Sequence, residues 1–257
     1  MSTISLVTYN VNGIRAAIKK GWIDWVGANQ FDVICVQETK ANKEQVELDD
    51  LREMGYEDHW FSAQKKGYSG VAIFTKLKAD HIEYGMGHEL FDFEGRVIRM
   101  DYKDVSFISV YFPSGSAGDI RQDVKFEFLD AFFPYIQKLR KKRKKIIISG
   151  DYNICHLDID IHNPTKQHNT SGFLPEERAW MDKLFDSKYI DVFRHFNMSP
   201  DIYSWWSYRA GARKNNKGWR LDYHTATDSL KDQLVNAEIL THVIHSDHCP
   251  VLMKFKM

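Results

Sequence analysis

Lys144-Lys145-Ile146-Ile147-Ile148-Ser149-Gly150-Asp151-Tyr152-Asn153, residues 144–153, passes from cations through a β-branched run to a polar turn. The isoleucines predict a buried strand over Ile146–Ser149. Gly150-Asp151-Tyr152-Asn153 ends it, and taken alone that string reads as an Asx turn. Upstream, Leu129, Phe132, Phe133 and Ile136 recur at helical spacing, so a helix precedes the strand, with Pro134 expected to kink or restart it. Lys138, Arg140, Lys141, Lys142, Arg143, Lys144 and Lys145 close that helix, where cations complement its C-terminal dipole. A strand advances about 3.3 Å per residue, so this basic run lies roughly 15–20 Å from the polar residues at the strand's far end. It is expected to face away from any site built there.

Similar β-branched and aromatic runs occur at Ile4–Tyr9, Val33–Val36, Gly70–Thr75, Val97–Tyr102, Val105–Tyr111 and Leu240–Ile244, and each is read as a strand. Helical segments fall at Trp22–Ala28 and after Pro175, where Glu176 and Glu177 occupy the first turn and Trp180 and Leu184 share a face. Lys103-Asp104 reads as a hairpin turn, so antiparallel pairing is present. Strands outnumber helices, and two packed sheets with outer helices satisfy the pattern. The chain has 257 residues, 43% of them hydrophobic. With no repeat and no Pro/Gly/Ser-rich linker, it is expected to form a single domain over residues 1–257.

The carboxyl ends of these strands carry Asn10 and Asn12, Glu38, Tyr111, Asp151 and Asn153, and Asp247 and His248. Each alone has an ordinary structural reading, a lone histidine included. As a set they are the inventory for binding a hard cation and hydrolysing a phosphate ester. Oxygen ligands such as Glu38 suit magnesium or manganese. A carboxylate such as Asp151, held by an amide such as Asn153, can orient and deprotonate water, and His248 polarised by a carboxylate can hold phosphate or shuttle a proton. The leaving oxygen needs a proton or a metal, for which Tyr111 and Asp247 are candidate donors.

Composition excludes more than it assigns. The 35 basic and 35 acidic side chains leave no global basic field, so charge gives no support to nucleic-acid binding. Cys35, Cys155 and Cys249 are scattered and in no CxxC spacing, against a disulfide framework or standard zinc site. Ser2 leads straight into the first strand-like run, and no apolar stretch is long enough for a bilayer. A soluble cytoplasmic protein without membrane contact is expected.

Val36-Gln37-Glu38-Thr39-Lys40, Gly67-Tyr68-Ser69-Gly70-Val71, Gly95-Arg96-Val97, Tyr111-Phe112-Pro113, Gly150-Asp151-Tyr152-Asn153, Ser171-Gly172-Phe173, Gly218-Trp219-Arg220-Leu221-Asp222-Tyr223 and Ser246-Asp247-His248-Cys249-Pro250 occur in that order. The set resembles the exonuclease III family of AP endonucleases, within the endonuclease/exonuclease/phosphatase superfamily, over nearly the whole chain. Gly-Trp-Arg-Leu-Asp-Tyr and Trp205-Trp206-Ser207-Tyr208 discriminate this family from the wider superfamily. The resemblance implies a four-layered α/β sandwich, two packed mixed β-sheets flanked by helices. It implies cleavage of the phosphodiester 5′ to abasic sites in duplex DNA, with 3′ to 5′ exonuclease or 3′-phosphodiesterase activity on 3′-blocked ends, by a monomer using Mg2+ with Mn2+ as a substitute.

It also implies roles. Glu38 is the principal metal ligand, with Asn10 and Asp247 as ligands or water-mediated partners. Asp151 and Asn153 position the attacking water. Asp222 pairs with His248, which sits on the scissile phosphate beside Tyr111. Trp205, Trp219 and Leu221 match the pocket for a flipped-out abasic sugar, although tryptophans in isolation are usually core. Such a slot would exclude an intact nucleotide by size. Lys40, Tyr68, Arg96 and Asn169 match contacts to the DNA backbone.

Three positions depart from the family pattern. Ser114 replaces an amide, Ala117 stands where some relatives carry an arginine that enters the DNA stack, and His224-Thr225 replace an apolar pair. Two rivals are carried: another phosphoesterase of the superfamily, acting on phosphoinositides or sphingomyelin, and a DNA-binding homologue without turnover. A Ser246-Asp247-His248 triad is set aside, because consecutive residues do not converge into that geometry and no GxSxG elbow is present.

Overall fold

The computed structural model describes residues 2–257. Its strands are β1 (Thr3–Asn10), β2 (Val33–Gln37), β3 (Glu57–Phe61), β4 (Val71–Thr75), β5 (His81–Tyr84), β6 (Val97–Tyr102) and β7 (Val105–Tyr111). They continue with β8 (Lys145–Asp151), β9 (Tyr189–Asp191), β10 (Trp205–Trp206), β11 (Gly218–Trp219), β12 (Asp222–Thr227), β13 (Leu234–Ile239) and β14 (Val251–Lys256). One sheet runs β13-β14-β1-β2-β4-β3, the other β5-β6-β7-β8-β12-β9, and β10 and β11 form a separate ribbon.

Side chains alternate across each strand, and here both faces are buried, which explains why the central strands read as continuous apolar runs. In β2, Val33 and Cys35 enter the core between the sheets while Ile34 and Val36 point outward. In β8, Ile147 points between the sheets and Ile146 and Ile148 point outward. Trp22, Val26 and Leu51 cover the outer face of the first sheet. Phe128, Phe132 and Ile136 of the helix Asp119–Lys142, with Trp180 and Leu184 of Pro175–Asp186, cover the second. Each such side chain contributes about 1.5–3 kcal/mol on burial. The arrangement is the four-layered sandwich expected.

What positions the site is strand direction. Each sheet has one parallel pair, β1 with β2 and β7 with β8, all its other pairings being antiparallel. The two parallel pairs pack on one another, β1 against β8 and β2 against β7. Asn10 is registered with Gln37, beside Glu38, and Tyr111, Asp151 and Asp222 form one row across the second sheet.

Several expectations change. Leu240–Ile244 is turn and coil, and the adjacent strands are β13 and β14. Leu240 and Val243 bury into the outer core from this loop while Ile244 is 68% exposed, so the apolar run never alternates as a strand would. Pro134 neither breaks nor restarts its helix, which is continuous over Asp119–Lys142. The basic run faces away from the strand ends, as expected. Lys145 is registered with Val105, at the opposite end of the pair from Tyr111 and Asp151. Its cations hold neighbouring structure: Arg143 donates to the Lys103 and Val105 carbonyls, Lys145 pairs with Asp104, and Arg140 donates to the Ser187 carbonyl. Lys103-Asp104 is the two-residue hairpin turn. All three cysteines are buried and free, and among the described residues no helix is long and apolar enough to cross a membrane.

Gly150 lies opposite Val110, and a β-carbon there would run into the Val110 carbonyl oxygen. Gly150→Ala is expected to cost about 3 kcal/mol by overpacking the β7–β8 pair. This would be read as a lower urea midpoint, and an unchanged midpoint would show that the strands have slack.

Candidate active site

Asn10 ends β1 fully buried, and its Nδ2 donates to Glu38 Oε1 and to Asp151 Oδ2, both at 2.8 Å. One carboxamide thus ties a carboxylate following β2 to one ending β8, in the other sheet. Asp151 Oδ1 accepts the Asn153 amide N–H at 2.8 Å, and Oδ2 lies 3.3 Å from Asn153 Nδ2. The expected Asp151–Asn153 pairing is present, with Asn10 as the closer side-chain donor.

Local backbone turns these groups inward. Asn12, Glu38, Lys40, Ser69 and Asn153 all have positive φ, between 44° and 52°. Each non-glycine residue there costs roughly 1–2 kcal/mol, and surrounding hydrogen bonds sustain it. The Glu38 carbonyl accepts from Gly13, and the Thr39 and Lys40 amides donate to Gly70 and Ser69, so the β1, β2 and β4 ends are stitched together.

His248 Nδ1 bonds Asp222 Oδ2 at 2.8 Å, the pairing expected, while Nε2 stands 3.9 Å from Asp151 Oδ2. Burial works against charge on His248, but Asp222 first, then Asp151 and Asp247, outweigh it and raise its pKa to about 10. Burial pushes Asp151 up to about 7 against the opposing pull of His248. Burial, then Glu38, holds the Tyr111 hydroxyl well above its ordinary value, leaving a neutral phenol that donates.

Glu38, Asp151 and His248 offer ligand atoms within 4.8 Å of one another. A cationic imidazole repels a metal ion, so within this group the carboxylates are the fitting oxygen donors and His248 suits an anionic oxygen. Asp247 borders the same cleft but is otherwise engaged: Oδ1 accepts from Asn12 Nδ2 and the Ser246 hydroxyl, and Oδ2 from Trp205 Nε1.

The cleft, about 450 Å³, is lined by the apolar Trp205, Trp219 and Leu221 together with the polar Glu38, Tyr111, Asp151, Asn153 and His248. Trp205 and Trp219 are registered partners across the β10–β11 ribbon, their rings perpendicular at 6.1 Å. Cys155, Ile161 and Phe173 pack behind them. Trp206, by contrast, belongs to the core between the sheets.

Lys40 is partly exposed beside the cleft and pairs with Glu38 Oε2 at 2.7 Å. Asn169 is exposed next to Thr170 and Ser171, which line the opening. Tyr68 is half-buried, its hydroxyl accepting from Arg96 and Arg121. Arg96 requires correction as a backbone contact. It is 1% exposed, and its donors are taken by Glu94, the Tyr111 carbonyl and the Tyr68 hydroxyl. Its guanidinium also lies 4.8 Å from the Tyr111 ring centre, so it supports two site tyrosines from behind. Of the departures, Ser114 lines the cleft and shares a hydrogen bond with Ser116, and Ala117 is exposed. His224 is buried, bonded to Ser149 Oγ and the Val251 carbonyl, which satisfies both ring nitrogens.

Sequence reasoning missed Ser204. Its buried hydroxyl donates to Asp222 Oδ2 at 2.6 Å and accepts from the Leu221 and Asp222 amides. A serine before a tryptophan carries no signal of this, which arises only from ribbon register. It also passed over Asn12, noted as a strand-end amide, which links Lys40 to Asp247.

A profile of the Endonuclease/Exonuclease/phosphatase family matches residues 7–248. The chain is 41% identical to an exodeoxyribonuclease of Bacillus subtilis (strain 168), over 96% of this chain and 98% of that protein. It is 35% identical to the DNA repair nuclease APEX1 of Danio rerio, over 98% of this chain and 82% of that one. Among solved structures, an AP endonuclease from Archaeoglobus fulgidus superposes with a TM-score of 0.90 at 28% identity, covering 99% of this chain and 100% of that one.

The His248–Asp222 pairing has a pH signature. The folded pKa lies above the ordinary 6.5, so the pairing stabilises the fold fully below pH 6.5 and that stabilisation is lost as pH rises through about 10. In metal-free protein, an NMR titration should place the His248 midpoint near 10, and Asp222→Asn should lower it by roughly 2 pH units. An unmoved midpoint would remove Asp222 as the cause.

Proposed function

Since this chain belongs to the endonuclease/exonuclease/phosphatase family, with the match spanning residues 7–248, we propose that it is a DNA-repair nuclease hydrolysing the phosphodiester 5′ to abasic sites. The observation that carries the reading is one cleft lined both by Glu38, Asp151 and His248 and by the apolar Trp205, Trp219 and Leu221. The polar set is equipped for phosphate ester hydrolysis, and the apolar set for a sugar without a base. Exodeoxyribonuclease and AP endonuclease relatives support DNA as the polymer.

Magnesium, with manganese as a substitute, fits the oxygen donors Glu38 and Asp151, with Asp247 and the Asn10 amide close by. When bound, such a cation supplies charge against the phosphoryl oxygens and stabilises the leaving oxygen. The chain's own groups do the rest. His248, held by Asp222 through Nδ1, presents Nε2 as a charged donor to a phosphate oxygen, and neutral Tyr111 adds a second donor. Asp151 and Asn153 lie where they can orient the attacking water. Asp151, whose pKa burial raises to about 7 without metal, stands where it can take the water's proton or give one to the departing 3′ oxygen.

An abasic deoxyribose rotates out of the duplex at low cost, and two perpendicular indoles with Leu221 offer it an apolar wall. Lys40, Tyr68 and Asn169 are assigned to contact the DNA backbone, with Lys40 and Asn169 next to residues that line the cleft. The same cleft can act on a 3′ end, so exonuclease or 3′-phosphodiesterase activity accompanies the incision.

A duplex with one tetrahydrofuran abasic analogue should be nicked on its 5′ side in magnesium and left intact in EDTA. Binding without a metal-dependent nick would sink the proposal. Glu38→Ala and Asp151→Asn should each lower the cleavage rate by about 10²-fold or more with the circular dichroism spectrum unchanged. Wild-type rates in either variant would remove the role assigned to that carboxylate.

A further inference from the structure

Behind the cleft lies a charge pair that hydrolysis does not use. Lys125 of the helix Asp119–Lys142 and Glu177, third residue of the helix Pro175–Asp186, are both 0% exposed and bonded to each other. Lys125 Nζ also donates to the Asn153 carbonyl at 2.7 Å. Glu177 Oε2 accepts from the Gly172 and Leu174 amides at 2.6 and 3.0 Å, and Oε1 also accepts from Gln122 at 3.1 Å.

The two anchored segments are neighbouring parts of the cleft lining, one carrying Asn153 and the other Gly172. Asn153 holds Asp151 and sits at φ 51°, a backbone state that needs outside support. Gly172 belongs to the loop under the apolar wall. A β-carbon on it would stand 3.0 Å from the Trp219 ring and 3.1 Å from the Asn153 carbonyl oxygen. The Gly172 carbonyl also accepts from the Cys155 amide at 2.7 Å. A path of direct contacts therefore runs from Asn153 through Lys125, Glu177 and Gly172 to Trp219.

We propose that Lys125 and Glu177 are positioning residues that fix the spacing between the hydrolytic groups and the apolar pocket, and through it the preference for abasic over intact DNA. The inference rests on the function proposed above. Helix capping explains only part of the arrangement: the Glu177 bond to Leu174 caps the helix Pro175–Asp186, but a cap needs no buried lysine from another helix. Two buried charges lose more solvation than their attraction commonly returns, so stability does not require the pair either. What Lys125 adds is a bond to the Asn153 carbonyl.

The test uses the full chain and two variants. Lys125→Met with Glu177→Gln replaces the ion pair by groups of similar volume. Glu177→Gln alone keeps an acceptor for the cap while releasing the lysine. Melting temperature, kcat and KM on the tetrahydrofuran duplex, and 3′ digestion of an undamaged duplex would be measured together. The double variant should melt near wild type and Glu177→Gln lower, since it leaves Lys125 buried without its partner; both should show kcat lower by about 10- to 100-fold, because a displacement of about 1 Å can cost 10²-fold. KM should change less than about 3-fold, and the ratio of abasic nicking to intact-end digestion should fall about 10-fold.

Folded variants with wild-type kcat and ratio overturn the inference alone. So does a loss confined to KM, which would make the pair a DNA-binding element, or a failure of both variants to fold, which would make it structural. A wild-type protein that does not nick the lesion overturns the function and this inference with it.

Discussion

The Asn10 carboxamide gives one hydrogen bond to Glu38 and one to Asp151, and those acids come from opposite sheets of the sandwich. Two carboxylates in a buried space repel, and the pKa of Asp151 is pushed up by burial with Asp222 and Glu38 adding to the rise. Fixed donors and the His248 cation make the arrangement tenable, and a divalent cation would make it favourable. For one amide to reach both acids, the sheets must meet at the carboxyl ends of their parallel pairs. That requirement explains why β1 packs on β8, and it places Tyr111 and Asp222 in the same row as Asp151.

Positive backbone angles at Asn12, Glu38, Lys40 and Asn153 mark the cost of turning strand-end side chains into one cleft. The cost is met by short-range bonds between strand ends rather than by the cores. This division lets three apolar layers set the sandwich while a small polar network sets the chemistry. Ser204 belongs to that network, since its hydroxyl is shared among Asp222 and two backbone amides beside the imidazole's anchor.

The central strands were legible because burial on both faces leaves unbroken β-branched runs, as in β2 and β8. β12 was not, because His224 and Thr225 are polar yet buried, with partners in Ser149, the Val251 carbonyl and Tyr152 that lie far off in sequence. Leu240–Ile244 failed in the opposite direction, its Leu240 and Val243 burying into the outer core from a loop rather than a strand. Among site residues, the strand-end set gave the chemistry, and the family motifs supplied Asp222 and the tryptophans. Arg96 was misread because a cation within a motif reads as exposed, whereas Glu94 and two tyrosine oxygens make its burial tenable. Ser204 and Lys125 leave no trace in a linear pattern, since their partners meet only after the sheets and helices assemble.

Chemistry and selectivity are also joined at one short loop. Asp247 accepts the Trp205 indole N–H, and the next residue, His248, pairs by backbone with Trp205 and by side chain with Asp222. The Trp205 wall of the cleft and the His248 imidazole therefore share a support. A shift of Trp205 would pull on Asp247 and on the His248 backbone, so under the proposed function changes in selectivity and in hydrolysis should arise from the same movement. Under the proposed function, such a site would guard undamaged DNA twice: through the apolar wall that receives the lesion, and because a distortion of that wall also moves the group that must act on the phosphate.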